Sequence, residues 1–130
     1  AFSDEIKTLT DKQGVDVVFD PVGGAYSEPA LRAMAWKGRY LVIGFTTSIP
    51  SIPLNLALLK GCQIVGVFWG NFCVKEPLVN AANFKDLFAM FEQGKIKPFV
   101  TESYPLDESA KAIKTLEERK VLGKVVVSME

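Results

Sequence analysis

Apolar positions along this chain follow two periodicities. Short, largely apolar runs occur at Val15–Asp20 within GVDVVFDPVGG, at Arg39–Phe45 (RYLVIGF), at Cys62–Trp69 (CQIVGVFW) and at Lys124–Met129 (KVVVSM). Runs of this kind, bounded by glycine and proline, predict strands covered on both faces, as in a parallel sheet between helices. Between them the spacing turns helical. A helix is predicted over 3–13, with Ser3 as N-cap, Asp4 and Glu5 in the first turn and Gly14 as its stop. A second spans 27–37, with Ser27 as cap, Pro29 in the first turn and Gly38 as its end. Leu54–Lys60 is a short helix stopped by Gly61, preceded by an extended loop held open by Pro50 and Pro53. Over 78–93, Phe84, Leu87, Phe88 and Phe91 fall at i, i+3, i+4 and i+7 and define one apolar face. Ile96–Tyr104 is extended, and Asp107 caps a last helix running to Val121, ended by Gly123. Strand and helix alternate, which implies right-handed βαβ crossovers and an α/β fold with a parallel sheet flanked by helices.

The strand ends share a character. Asp20-Pro21-Val22-Gly23-Gly24, Gly44-Phe45-Thr46-Thr47 and Trp69-Gly70-Asn71 each close an apolar run. In a parallel sheet these turns emerge on one edge, the carboxyl ends of the strands, where ligands of open α/β sheets bind. Glycine backbone permits close approach, and its amides can fix a ligand. The same residue types are ordinary turn formers, so a binding edge and a set of plain connections both remain open.

Composition narrows the chemistry. The chain has 130 residues, the size of one domain, and its fifteen basic and fifteen acidic residues cancel. It builds no positive field of the kind a nucleic-acid binder needs. Its apolar runs fall well short of the roughly 20 residues that span a bilayer. There is no histidine, so a zinc site of the usual type and a histidine general base are not expected within this chain. Cys62 and Cys73 make no disulfide framework; Cys62 is expected to pack as a small hydrophobe. No basic-then-apolar leader opens the chain, and the expected setting is a reducing cytoplasm or an organelle matrix. Its first residue is Ala1, which suggests a processed chain or an excised piece of a longer one. No G-x-G-x-x-G turn, Walker loop or HExxH motif occurs. Tyr104, beside Pro105, is expected to pack with a solvated hydroxyl, and the sequence offers no group to name as a general acid.

Taken in order, GVDVVFDPVGG, GRYLVIGF, IPLNLALLKG, GVFWG, GKIKPFV…YPLDES and GKVVV resemble the medium-chain dehydrogenase/reductases. The nearest branch is the zinc-free, quinone oxidoreductase-like one that includes zeta-crystallin. The resemblance covers essentially the whole chain, whereas members of that family are about two and a half times longer. It implies that residues 1–95 form the second half of a Rossmann cofactor domain and residues 96–130 a C-terminal return to the catalytic domain. The first half of the cofactor domain, with its glycine fingerprint, would lie outside this chain. The resemblance further implies contacts to the nicotinamide half of NADPH at Gly24, Gly44, Phe45, Thr46, Trp69, Gly70, Asn71 and Lys124. The family's reaction is hydride transfer from nicotinamide to a quinone or activated enone, without zinc.

The resemblance also implies dimerisation through the edge strand Cys62–Phe68. Val15–Asp20 would be left as a second uncovered edge, so a homo-oligomer through edge-strand pairing is expected. No nucleic-acid or membrane partner is expected, and this chain alone is expected to be inactive. Two other readings stand beside it: a non-catalytic, self-associating module, and part of an enoyl or alkenal reductase of the same superfamily.

Overall fold

A computed structural model describes residues 2–129. The chain divides after Glu76 into two compact units. The first contains α1 (Phe2–Leu9), β1 (Val15–Asp20), α2 (Ser27–Arg32), β2 (Met34–Val42), α3 (Asn55–Lys60), β3 (Gln63–Gly66) and α4 (Trp69–Lys75). The second contains α5 (Pro77–Glu92), β4 (Val100–Pro105), α6 (Ser109–Glu117) and β5 (Lys124–Ser128).

In the first unit β1, β2 and β3 form a parallel sheet in that order, with β2 central. The alternation of apolar strands with helices therefore gives the α/β architecture that the sequence predicts. The core sits on one face of this sheet. Leu31 is wholly buried, and Ala30, Met34, Tyr40 and Leu56 pack with it. Val18, Val42, Ile52 and Cys62 close in from the side, which places Cys62 among hydrophobes as expected.

β1 and β3 are the edges of the sheet, and the expectation of a strand covered on both faces fails for β1. Val17 and Phe19 of β1 are 55% and 66% exposed. They point to the face opposite Val18, because side chains alternate along a strand. The uncovered edge at Val15–Asp20 is as expected; its second apolar face has no cover among the described residues.

Several element boundaries shift, each for a local reason. α1 ends at Leu9 rather than at Gln13: Thr10 folds back, accepting the Gly14 N–H on its hydroxyl at 3.0 Å, and Asp11 and Lys12 take positive φ. The helix expected over 27–37 ends at Arg32, and strand pairing begins at Met34. Val15 pairs with Met34 but Val17 with Arg39, so β2 carries extra residues in a bulge where Lys37 has φ 63°. Gly38 belongs to this bulge and is no helix stop: a methyl there would sit 3.0 Å from the Asp16 carbonyl oxygen.

β3 stops at Gly66, not at Trp69, and Trp69-Gly70-Asn71 form the first turn of α4. Ser3, Ser27 and Asp107 are not caps. Ser3 lies inside α1, Ser27 inside α2 after a short 3₁₀ turn, and Asp107 inside another 3₁₀ turn before α6. α6 ends at Glu117, and Gly123 instead lets the chain pass the Phe99 carbonyl, where a methyl would come within 2.3 Å.

In the second unit β4 and β5 pair in parallel, with α6 as their crossover. Ala112 of α6 is buried. Tyr104 is more engaged than expected: its hydroxyl donates to Glu102, lies 3.2 Å from the Thr115 hydroxyl, and Lys111 sits over its ring. The predicted stripe Phe84, Leu87, Phe88 and Phe91 does share one face of α5 and lines an open apolar groove with Ile96 and Pro98.

Candidate functional site

The register of the sheet brings the strand ends together. Asp20 pairs with Val42, and Val42 with Gly66, so three neighbouring strands finish at one level. The turns after them leave from the same edge, as the sequence pattern requires of a parallel sheet.

Asp20 organises the first turn. One carboxylate oxygen accepts the N–H groups of Val22 at 2.9 Å and Gly23 at 2.8 Å. This local capture of two amides is the habit of aspartate at a turn. The other oxygen accepts the Ser27 hydroxyl at 2.9 Å and the Tyr40 hydroxyl in a short bond. Tyr40 comes from the central strand and is 3% exposed, so the turn is tied to the core. Burial pushes the Asp20 carboxyl up, but the bonds from Gly23, Tyr40, Val22 and Ser27 together outweigh it and hold it below its ordinary value. Burial, and then the hydrogen bond to Asp20, push the Tyr40 phenol up to about 12.

These shifts give stability a pH dependence of definite sign. The folded Asp20 value lies below the unfolded one, so its contribution is present above about pH 4 and lost as pH falls through the lowered folded value. The folded Tyr40 value lies above the unfolded value of about 10, so its contribution holds below that pH. It is lost as pH rises toward about 12. Urea midpoints should therefore fall on both sides of a neutral plateau, and Tyr40→Phe should remove its share of the alkaline fall. An identical alkaline profile in wild type and variant would contradict this.

The second turn locks onto the first. The Asp20 carbonyl accepts the N–H groups of Ile43 at 2.9 Å and Gly44 at 3.3 Å. Thr47 donates to the Val22 carbonyl from its N–H at 3.1 Å and its hydroxyl at 2.9 Å. The Gly24 N–H donates to the Ser48 carbonyl at 2.8 Å. Gly24 therefore holds the two turns together, and its amide is engaged within the fold.

The N–H groups of Phe45 and Thr46 are different. Neither has a protein acceptor among the described residues, and both residues are exposed. Gly44 beside them is open: a methyl there would meet only the Pro21 carbonyl oxygen, at 3.8 Å. Beneath lies a cavity of about 170 Å³ bounded by Asp20, Tyr40, Phe45, Ile52 and Ile64.

The third strand end continues the edge. The Val67 N–H donates to the Val42 carbonyl at 2.9 Å, which carries the sheet one residue further before α4 begins. Trp69, Gly70 and Asn71 are exposed, and Trp69 and Asn71 line a second cleft of about 540 Å³ with Phe68 and Phe72. Lys124 lies in the second unit, where it opens β5 and its N–H donates to the Phe99 carbonyl at 2.7 Å. Seven of the eight expected contact positions thus belong to the first unit.

The sequence did not point to Tyr40 or to Ser27 as partners of Asp20. Ser27 resembles an ordinary helix cap, and Tyr40 lies within an apolar run where an aromatic ring needs no special reason. The available signal was an aspartate at the buried end of a strand, which requires donors from somewhere.

A parallel sheet flanked by helices, with an aspartate-anchored turn and a glycine-opened second turn at its carboxyl edge, is a Rossmann-type arrangement. The chain belongs to the medium-chain dehydrogenase/reductases: the family profile described as zinc-binding dehydrogenase matches residues 1–127. It is 35% identical over 127 residues to a quinone oxidoreductase-like protein 2 homolog from Nematostella vectensis, covering 96% of this chain and 35% of that protein.

Among solved structures, an apo enoyl reductase superposes with a TM-score of 0.81 at 26% identity, over 99% of this chain and 39% of that one. A mycobacterial protein complexed with NADPH superposes with a TM-score of 0.77 at 25% identity, over 97% of this chain and 39% of that one. The chain thus spans little more than a third of the length of these relatives. The zinc in the family's description finds no fit here: the chain has no histidine, and no group of three or more Cys, Asp or Glu among the described residues could hold a metal ion. No helix among the described residues is long and apolar enough to cross a membrane.

Proposed function

We propose that this chain forms the nicotinamide side of the cofactor site in an NADPH-dependent, quinone oxidoreductase-like enzyme. The observation that carries the reading is the pair of unengaged N–H groups at Phe45 and Thr46 beside the open Gly44. Backbone donors at a glycine-opened turn suit a planar polar group such as a carboxamide. The NADPH complex of a structural relative supports the choice of cofactor. The Nematostella relative, described as quinone oxidoreductase-like, supports a quinone as hydride acceptor, and the enoyl reductase neighbour supports an activated enone as the alternative.

When bound, the cofactor supplies the hydride. The chain's own part is to orient it. Phe45 and Thr46 donate from the second turn, while Trp69, Gly70 and Asn71 bound the third strand end, and Asp20 keeps the first turn rigid through Gly23 and Tyr40. Gly24 serves by joining the turns through its bond to Ser48. No residue here takes the role of general acid, and this chain alone is inactive in hydride transfer.

The test is an NADPH fluorescence titration of the chain and of Gly44→Ala. Wild type should give a saturable signal. Gly44→Ala should weaken binding about tenfold, through loss of a close contact and its hydrogen bonds, with an unchanged urea midpoint. A second reading, a non-catalytic self-associating module, is favoured by the uncovered edge at Val17 and Phe19. No NADPH signal in wild type, together with a concentration-dependent oligomer, would establish that reading instead.

A further inference from the structure

The opposite end of the sheet carries a cleft that none of this chemistry uses. It measures about 660 Å³ and opens at the amino ends of β1 and β2, between α1, the turn before β1, and the end of α3. Lys7, Lys12 and Lys60 line it, with Asp4 as its one carboxylate and Gln13 and Trp36 completing the wall.

The cations are held there by the fold. The Lys60 ammonium donates to the Met34 carbonyl at 2.7 Å, which fixes it where β2 begins. Lys12 is carried by the positive-φ turn that also sets Gly14 against β2. Lys7 and Lys12 have no carboxylate partner among the described residues, nor has the side-chain amide of Gln13 a hydrogen-bond partner there. Burial, and then the neighbouring charge of Lys7, push the Lys60 ammonium below its ordinary value.

Trp36 supplies the aromatic wall. It stands in the β2 bulge, 66% exposed, with its six-membered ring against Gly61. Gly61 is left-handed at φ 54°, and a methyl there would lie 2.9 Å from that ring, so the glycine seats the indole.

We propose that this cleft binds a nucleoside diphosphate, with the phosphates on Lys7, Lys12 and Lys60 and the base against Trp36. Three ammonium groups against one carboxylate match a ligand of two to three negative charges. An exposed indole resting against Gly61 beside them matches a planar ring, since bases stack on aromatic side chains irrespective of sequence. The site lies at the sheet end away from Gly44–Thr46 and stands independently of the cofactor reading.

The test is a titration of the isotopically labelled chain with ADP, inorganic pyrophosphate and adenosine, followed by amide shifts. ADP should shift Lys7, Lys12, Gln13 and the Trp36 indole N–H saturably, with pyrophosphate weaker and adenosine without effect. Lys7→Gln and Lys12→Gln should each weaken ADP binding about tenfold, and Trp36→Leu about fivefold; circular dichroism checks that each variant folds. As a readout free of substitution, raising the salt concentration should weaken ADP binding to wild type steeply. Absence of shifts at millimolar ADP, shifts unaffected by Lys7→Gln and Lys12→Gln, or pyrophosphate binding as tight as ADP would each overturn the proposal.

Discussion

Asp20→Ala should lower the unfolding free energy of this chain by about 4 kcal/mol, enough to unfold a domain of marginal stability. Four donors converge on that carboxylate: the N–H groups of Val22 and Gly23, and the hydroxyls of Ser27 and Tyr40. Removing it strips the Tyr40 hydroxyl of its carboxylate acceptor in a site that is 3% exposed. A buried polar group without a partner carries a desolvation penalty of about 1–3 kcal/mol, and hydrogen bonds to a charged group contribute about 1.5–3 kcal/mol each. The terms are not additive, so the sum stays below the count of bonds. A double-mutant cycle with Tyr40→Phe isolates the central bond. Because the phenylalanine removes the stranded hydroxyl, the double variant should be less destabilised than the sum of the two single changes by about 2 kcal/mol. Additive losses would mean that Asp20 holds the turn alone and that the tie to the central strand carries little.

Gly23→Ala is the second large effect, expected at about 3 kcal/mol. Gly23 sits at φ 73° and ψ −150°, a region essentially confined to glycine. Its position is also tight. A methyl would lie 2.7 Å from a Phe45 ring carbon and 2.8 Å from the Ser48 carbonyl oxygen. Phe45 could swing away, but the Ser48 carbonyl is backbone and accepts the Gly24 N–H, so the two turns must part. Urea denaturation gives the stability loss. The contrast with Gly44→Ala is informative, because Gly44 has ordinary φ and open space. A similar loss at both positions would mean that the two turns are not locked as described.

The sheet was legible because its signal is a bulk one. Apolar runs separated by helical spacing define parallel strands with little dependence on any single residue. The helix boundaries were less legible, because capping chemistry was read from residues that tertiary contacts had already claimed. Ser27 has the composition of a cap, yet its hydroxyl bonds Asp20. Gly38 has the composition of a helix stop, yet it admits a bulge against β1. Trp69-Gly70-Asn71 continue an apolar run in sequence, but the chain leaves the sheet after Gly66 and coils into α4.

Of the expected contact positions, the clustering of turns on one edge followed from topology. Which amides stay free did not. Gly24 and Gly44 both look like ligand-facing glycines in the sequence, and only the hydrogen bonds show that Gly24 donates to Ser48 while Phe45 and Thr46 have no acceptor among the described residues. Partner choice across some 20 to 25 residues of sequence leaves no local trace.

In the proposed cofactor site the Gly44–Thr46 turn receives the nicotinamide. The most direct measurement is an amide-resolved titration of the labelled chain with reduced nicotinamide mononucleotide, which carries that half of the cofactor alone. Saturable shifts at Gly44, Phe45 and Thr46, extending to Gly70 and Asn71 and lost in Gly44→Ala, are the predicted result. Shifts absent from Gly44–Thr46, or unchanged in Gly44→Ala, would contradict it.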